Sequence, residues 1–103
     1  MNLNKLMKQA QKMQEKMAQA QTELAEKTVE VQAAGGKITV VANGAGDVIS
    51  IKIAKEIVDS EEVEFLEDAV LSLVMQAIEQ GKAIASSEMS KITGGMGVPG
   101  LGL

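Results

Sequence analysis

A chain of 103 residues suffices for one small domain, and its formal net charge of −4 gives no bulk reason to expect a polyanion partner. There is no His, Cys, Arg, Trp or Tyr, and Phe65 is the only aromatic residue. That excludes the commonest general base, the thiol nucleophile, the usual zinc ligands, the guanidinium fork that reads guanine and the aromatic platform that stacks single strands. No apolar run approaches a membrane span and no secretory segment follows the first Lys. The expectation is therefore a cytoplasmic protein that is not an enzyme, with no metal, cofactor, membrane or small-molecule substrate.

Residues 2–26 are rich in Gln, Lys, Met, Ala and Glu, with no Gly or Pro, and predict one long helix. About 25 residues would span roughly 37 Å, so its far end should project beyond its own core unless a second chain covers it. Lys5, Lys8, Lys12 and Lys16 recur at intervals of 3, 4 and 4. At 3.6 residues per turn they fall in a stripe roughly 80° wide. Leu6, Met13, Met17, Ala20 and Leu24 are expected on the opposite side.

Strand character follows. Val29, Val31 and Ala33 alternate with polar residues, as do Ile38, Val40 and Ala42, and then Ile49, Ile51 and Ile53. Gly35-Gly36 and Asn43-Gly44 mark the two turns, the second as a hairpin in which Asn and Gly both tolerate positive φ. Three antiparallel strands result. A second helix is predicted from Asp59 or Ser60, with Asp59 and Glu62 at capping-box spacing. Val63, Leu66, Val70, Leu73, Val74, Ala77 and Ile78 supply its apolar face. It should end at Gly94-Gly95, before a flexible Gly-rich tail over residues 94–103. The fold class is α+β: a two-layer α-β-β-β-α domain over residues 1–93, with a three-stranded antiparallel sheet and two long helices.

Charge is segregated along this plan. Residues 1–20 carry four Lys against Glu15 alone, a net +3, whereas residues 55–68 carry Lys55 against seven carboxylates, a net −6. The ammonium ladder suits a row of phosphates, and such contacts position a protein without reading base identity. Lys82 and Lys91 on the last helix are candidates to extend the same surface. The acidic run complements a helix N-terminus and lacks the Gly turn of a calcium loop. Gly35-Gly36-Lys37 lacks the upstream Gly and leads into a strand, so it is no phosphate loop. Met7, Met13 and Met17 form an adaptable contact surface. Met13 and Met17, with Val41 and Val48 opposite the main apolar face of their strands, are the candidate dimer-interface residues.

Four passages carry a resemblance. They are Leu6 to Gln14 (LMKQAQKMQ), Val40 to Gly46 (VVANGAG), Phe65 to Asp68 (FLED) with Val70, and Lys91 to Gly97 (KITGGMG) with Pro99-Gly100. In this order, over nearly the whole chain, they resemble the YbaB/EbfC family of bacterial nucleoid-associated DNA-binding proteins. The resemblance implies a homodimer with protruding helices, a nucleoid location and no catalysis. It also implies double-stranded DNA binding that alters DNA conformation and with it gene expression. The absence of Arg leaves sequence-specific base recognition out of what it carries over. The expected function is therefore sequence-tolerant DNA binding through Lys5, Lys8, Lys12, Lys16, Lys82 and Lys91. The alternative is a helical scaffold or adaptor that binds another protein through its Met-rich helices. Salt separates the two, because phosphate contacts weaken steeply with ionic strength and apolar contacts do not.

Overall fold

The computed structural model describes residues 2–95, with the side chains of 2–92. Helix α1 runs Leu3–Glu26, strands β1 Thr28–Ala33, β2 Ile38–Asn43 and β3 Val48–Ile53 follow, and helix α2 runs Val63–Gly95. The strands pair antiparallel in the order β1-β2-β3. This is the α+β arrangement expected. The predicted tail lies outside the described residues, except that Gly94 and Gly95 continue α2.

Register builds the core. Val29, Val31 and Ala33 stand opposite Ala42, Val40 and Ile38, which places all six on one face of the sheet. Leu73 and Ala77 of α2 close over that face, and Leu66, Ala69, Val70 and Val74 pack around them. The opposite face presents Thr28, Glu30, Gln32, Thr39, Ser50 and Lys52, with Val41 half-buried among them. Val41 thus lies where the sequence places it. Val48 does not. A bulge between β2 and β3 pairs it with Ala42, where regular pairing would bring Ile49, so Val48 shares the α2-facing side.

Two turn readings are corrected as well. Asn43 and Gly44 do not take positive φ; Gly46 does, at 93°. Gly44 is required for another reason, since a Cβ there would come 2.8 Å from Leu24 Cδ2 and 3.1 Å from its carbonyl oxygen. At the start of α2, Asp59 forms no capping box. Its Oδ1 accepts from Glu61 N (3.0 Å) and its carbonyl from Glu62 N (2.9 Å). That turn spends residues 59–62, and the first helical bond runs from Leu66 N to the Glu62 carbonyl (3.1 Å). The helix therefore begins at Val63.

α2 has 33 residues, or about 50 Å, whereas a six-residue strand covers about 20 Å. Its first half lies over β1 and β2, and the rest overshoots the sheet beside α1. The radius of gyration is 19.8 Å, against about 13 Å for a compact chain of this length.

Candidate nucleic-acid interface

The overshoot is an arm of two helices, and its root is built around Asn43. This side chain is buried and fully satisfied. Its Nδ2 donates to the Ala25 carbonyl (3.2 Å), and its Oδ1 accepts from Ala45 N (3.0 Å) and Asp47 N (2.9 Å). Beside it Gly44 N donates to the carbonyls of Leu24 and Lys27, both at 3.0 Å, where they leave the end of α1. Gly81 brings α2 against the same turn, with no room for a side chain. One asparagine and two glycines thus join the C-terminus of α1, the β2–β3 hairpin and the middle of α2.

From this root the helices run antiparallel. Lys27 pairs with Glu88, and further out Lys16, Gln19, Ala20 and Glu23 face Glu88, Lys91 and Ile92 across a shallow groove. Only Ala20 and Leu24 of α1 are buried, and Met13 is half-buried. Residues 2–12 are exposed throughout. With Lys16 abreast of Ile92, α1 extends about 15 Å past Gly95 at 1.5 Å per residue. Asn2 caps it, its Oδ1 accepting from Lys5 N at 3.2 Å.

Lys5, Lys8, Lys12 and Lys16 are all exposed and on this arm. Among the described residues none of them pairs with a carboxylate. The ladder is not diametrically opposite the packed stripe, as the sequence reading had it. Helical geometry sets it about 95° from the direction of Ala20 and Leu24, which is why Lys16 reaches the groove. Lys82 and Lys91, nine residues apart, lie on opposite sides of α2. Lys91 joins the groove with Lys16, while Lys82 stands beside Met75, Ile78 and Glu79. The monomer therefore brings together five of the six lysines.

The acidic segment lies elsewhere. Lys37 pairs with Glu56 (3.8 Å) at the end of the sheet away from the Asn43 turn. From Val63 to Gly81 the axis of α2 runs about 27 Å, more than three Debye lengths at physiological salt. The Glu88 carboxyl is held below its usual value by the Lys27 hydrogen bond first, with further attraction from Lys27 and Lys91 outweighing partial desolvation.

Reading the residues alone missed Glu88, Asn43 as a buried bridge, and Gly81. Gly81 left a trace, being a glycine inside an apolar helical pattern. The Lys27–Glu88 pair spans 61 residues and leaves none.

Uncovered apolar surface lies on the sheet, away from the arm. Edge strand β3 exposes Ile49, Ile51 (44%) and Ile53 (37%), although register puts Ile51 and Ile53 on the core-facing side. Of these, Ile53 borders a groove of ≈ 470 Å³ with Val63, Glu67 and Leu71 of α2, lined further by Leu66, Val70 and Val74. Among the described residues no helix is long and apolar enough to cross a membrane, and no cluster of acids could hold a metal ion.

The model of the YbaB/EbfC DNA-binding family matches residues 1–96. A nucleoid-associated protein of Thermoanaerobacter pseudethanolicus is 49% identical over 97% of this chain and 90% of its own length. One from Ruminiclostridium cellulolyticum is 50% identical over 97% and 88%. The crystal structure of an uncharacterized Helicobacter pylori protein superposes with a TM-score of 0.64 at 18% identity, covering 93% of this chain and 97% of that one, a likeness of fold.

Proposed function

The chain belongs to the YbaB/EbfC DNA-binding family, and from that premise we propose that it is a nucleoid-associated protein that grips double-stranded DNA through phosphate contacts from Lys5, Lys8, Lys12 and Lys16, with little dependence on base sequence. The observation that carries this reading is the unpaired, exposed ladder on an arm held clear of the acidic end. Lysines on one helix edge meet phosphates as point charges and discriminate bases weakly. Lys82 would contact DNA only from the other side of the arm. Lys91 already has a carboxylate beside it.

The active species is a homodimer. Ile51 and Ile53 on the unpaired edge strand β3, with Val63 and Leu71 on α2, form the surface a second copy would cover. Val48, which begins that edge strand, adjoins it. Val41 on the polar face, and Met13 and Met17 on the arm, would be buried only by a more extensive contact. Pairing doubles the ladder to eight ammoniums and gives DNA two arms to lie between, which is how binding would change its path. Replacing Leu71 with Asp should yield monomers on sizing, and a dimer unchanged by this substitution removes the interface.

The test is a salt titration of a scrambled duplex by fluorescence anisotropy. With six to eight lysines engaged, the slope of log K against log salt is about −5 to −7. Changing Lys5, Lys8, Lys12 and Lys16 together to Gln should flatten that slope and abolish binding at physiological salt. Unchanged affinity and slope would refute the reading. Binding of a protein through the exposed Leu6, Met7 and Met17 of the same arm is the competing reading, and it predicts an interaction insensitive to salt.

A further inference from the structure

Three lysines stand along the seam between the two helices of the arm, and they are not equivalent. Glu88 lies between two of them, its side chain only 22% exposed. Its Oε1 accepts from the ammonium of Lys27, the residue that follows α1, and the Lys91 ammonium of its own helix stands 3.6 Å away. Lys16, on the facing wall of the groove, has no carboxylate partner among the described residues.

We propose that Glu88 sets the inner boundary of the DNA-contacting surface, withholding Lys91 and Lys27 from the phosphate-pairing set and confining it to the outer arm. The proposal rests on the phosphate-contact reading above. An exposed ion pair is weak, so Lys91 is free to swing out. Swinging out, however, uncovers the Glu88 carboxylate next to the incoming phosphate. The attraction gained by one ammonium is then offset by repulsion between two anions at similar range. Lys27 is bound more closely still and lies at the root of the arm. Its lowered titration keeps Glu88 ionised under ordinary binding conditions. The same carboxylate has a structural consequence: without it, Lys16, Lys27 and Lys91 would have only Glu23 among the groove's side chains to offset their charge.

The experiment uses the full chain, the scrambled duplex and a salt series, with helix content checked by circular dichroism. Lys16→Gln should reduce the steepness of the log–log slope by about 0.9 for each engaged copy. Lys91→Gln should leave it unchanged. Glu88→Gln should steepen it, by about 0.9 for each lysine released per copy, and adding Lys91→Gln to that variant should reverse the Lys91 share. A merely structural role would lower affinity at every salt concentration without steepening the slope. If Glu88→Gln loosens the arm, the Lys16 and Lys91 single variants decide the matter alone. A Lys91→Gln slope that flattens as much as that of Lys16→Gln overturns this inference and leaves the phosphate reading standing. If neither variant moves the slope, both fall.

Discussion

Alanine at position 81 tests how the arm is fixed to the sheet. A Cβ there would sit 2.4 Å from the Asn43 carbonyl oxygen and 3.3 Å from its carbonyl carbon. Ordinary contact begins near 3.4 Å, so helix and hairpin must part by about 1 Å. Neither side yields easily, because the obstacle is backbone and the Asn43 side chain ties that backbone to Ala25, Ala45 and Asp47. Overpacking of this kind costs about 1–3 kcal/mol. Helix propensity acts the other way, favouring Ala over Gly by about 0.8–1 kcal/mol. With a rigid neighbour the steric cost lies in the upper part of that range, about 2–3 kcal/mol, leaving a net loss of about 1–2 kcal/mol. For a domain of this size that lowers Tm by about 5–15 °C. Thermal unfolding at fixed protein concentration, to hold any dimerisation constant, gives the answer. Gly44→Ala should cost less, since its nearest obstacle is a side-chain carbon of Leu24 at 2.8 Å and the nearest backbone atom stands at 3.1 Å, against 2.4 Å at Gly81. A Gly81→Ala protein melting at or above the parent temperature would mean propensity had won and the close approach is not what fixes the arm.

Asn43→Ala removes three hydrogen bonds at a buried site, leaving two N–H groups and a carbonyl without their partner. It should cost about 2–4 kcal/mol in chemical denaturation, with faster amide exchange at Ala45 and Asp47. Glu88 is the source of an acid response. Its carboxyl titrates below the ordinary value of 4.5 in the folded chain, so its stabilisation is complete above that pH and is lost as pH falls through the lower folded value. Hydrogen exchange of residues 20–27 should quicken over that window in the parent, and the Glu88→Gln protein should lack this component. Gln9→Glu and Ser60→Glu each change net charge from −4 to −5. The first places a carboxylate one turn from Lys5 and Lys12 and should weaken DNA binding several-fold at low salt, while the second should leave it unaltered. Equal weakening by both would show that bulk charge governs.

The fold was legible because local signals and long-range packing agree over most of the chain. The helix formers of residues 3–26, the alternation in each strand and the apolar spacing from Val63 onward all describe faces that the structure buries or leaves open in the expected order. The ladder was legible for the same reason: a helix without Gly or Pro fixes the angle between Lys5 and Lys16 before any tertiary contact forms. The failures occur where a second element intervenes. Asn43-Gly44 matches an ordinary hairpin turn, yet Asn43 bridges to α1 and Gly44 makes room for Leu24. Val48 alternates correctly along its own strand, but the bulge is a property of the pair. Ile51 and Ile53 point toward the core side, and only the path of α2 over the other two strands leaves them uncovered. The angle of the ladder to the packed stripe was computable from sequence once Ala20 and Leu24 were known to be the anchors, which is a tertiary fact.

An acidic chain can engage a polyanion when its charges are far enough apart to be felt separately. Two unit charges about 27 Å apart in water interact by roughly 0.15 kcal/mol before screening. At a Debye length of about 8 Å, screening removes all but a few per cent of that. Adjacent lysines about 6 Å apart retain roughly 0.3 kcal/mol under the same conditions. The carboxylates of residues 56–68 therefore neither quench the ladder nor relieve its self-repulsion. Length makes that separation. Had α2 stopped at the edge of the sheet, α1 would have had no helix to lie against. The 14 residues of α2 beyond Gly81 buttress α1, and the contact at Gly81 aims them. In this chain the separation of the two charge poles depends on a helix length and one missing Cβ more than on the net charge.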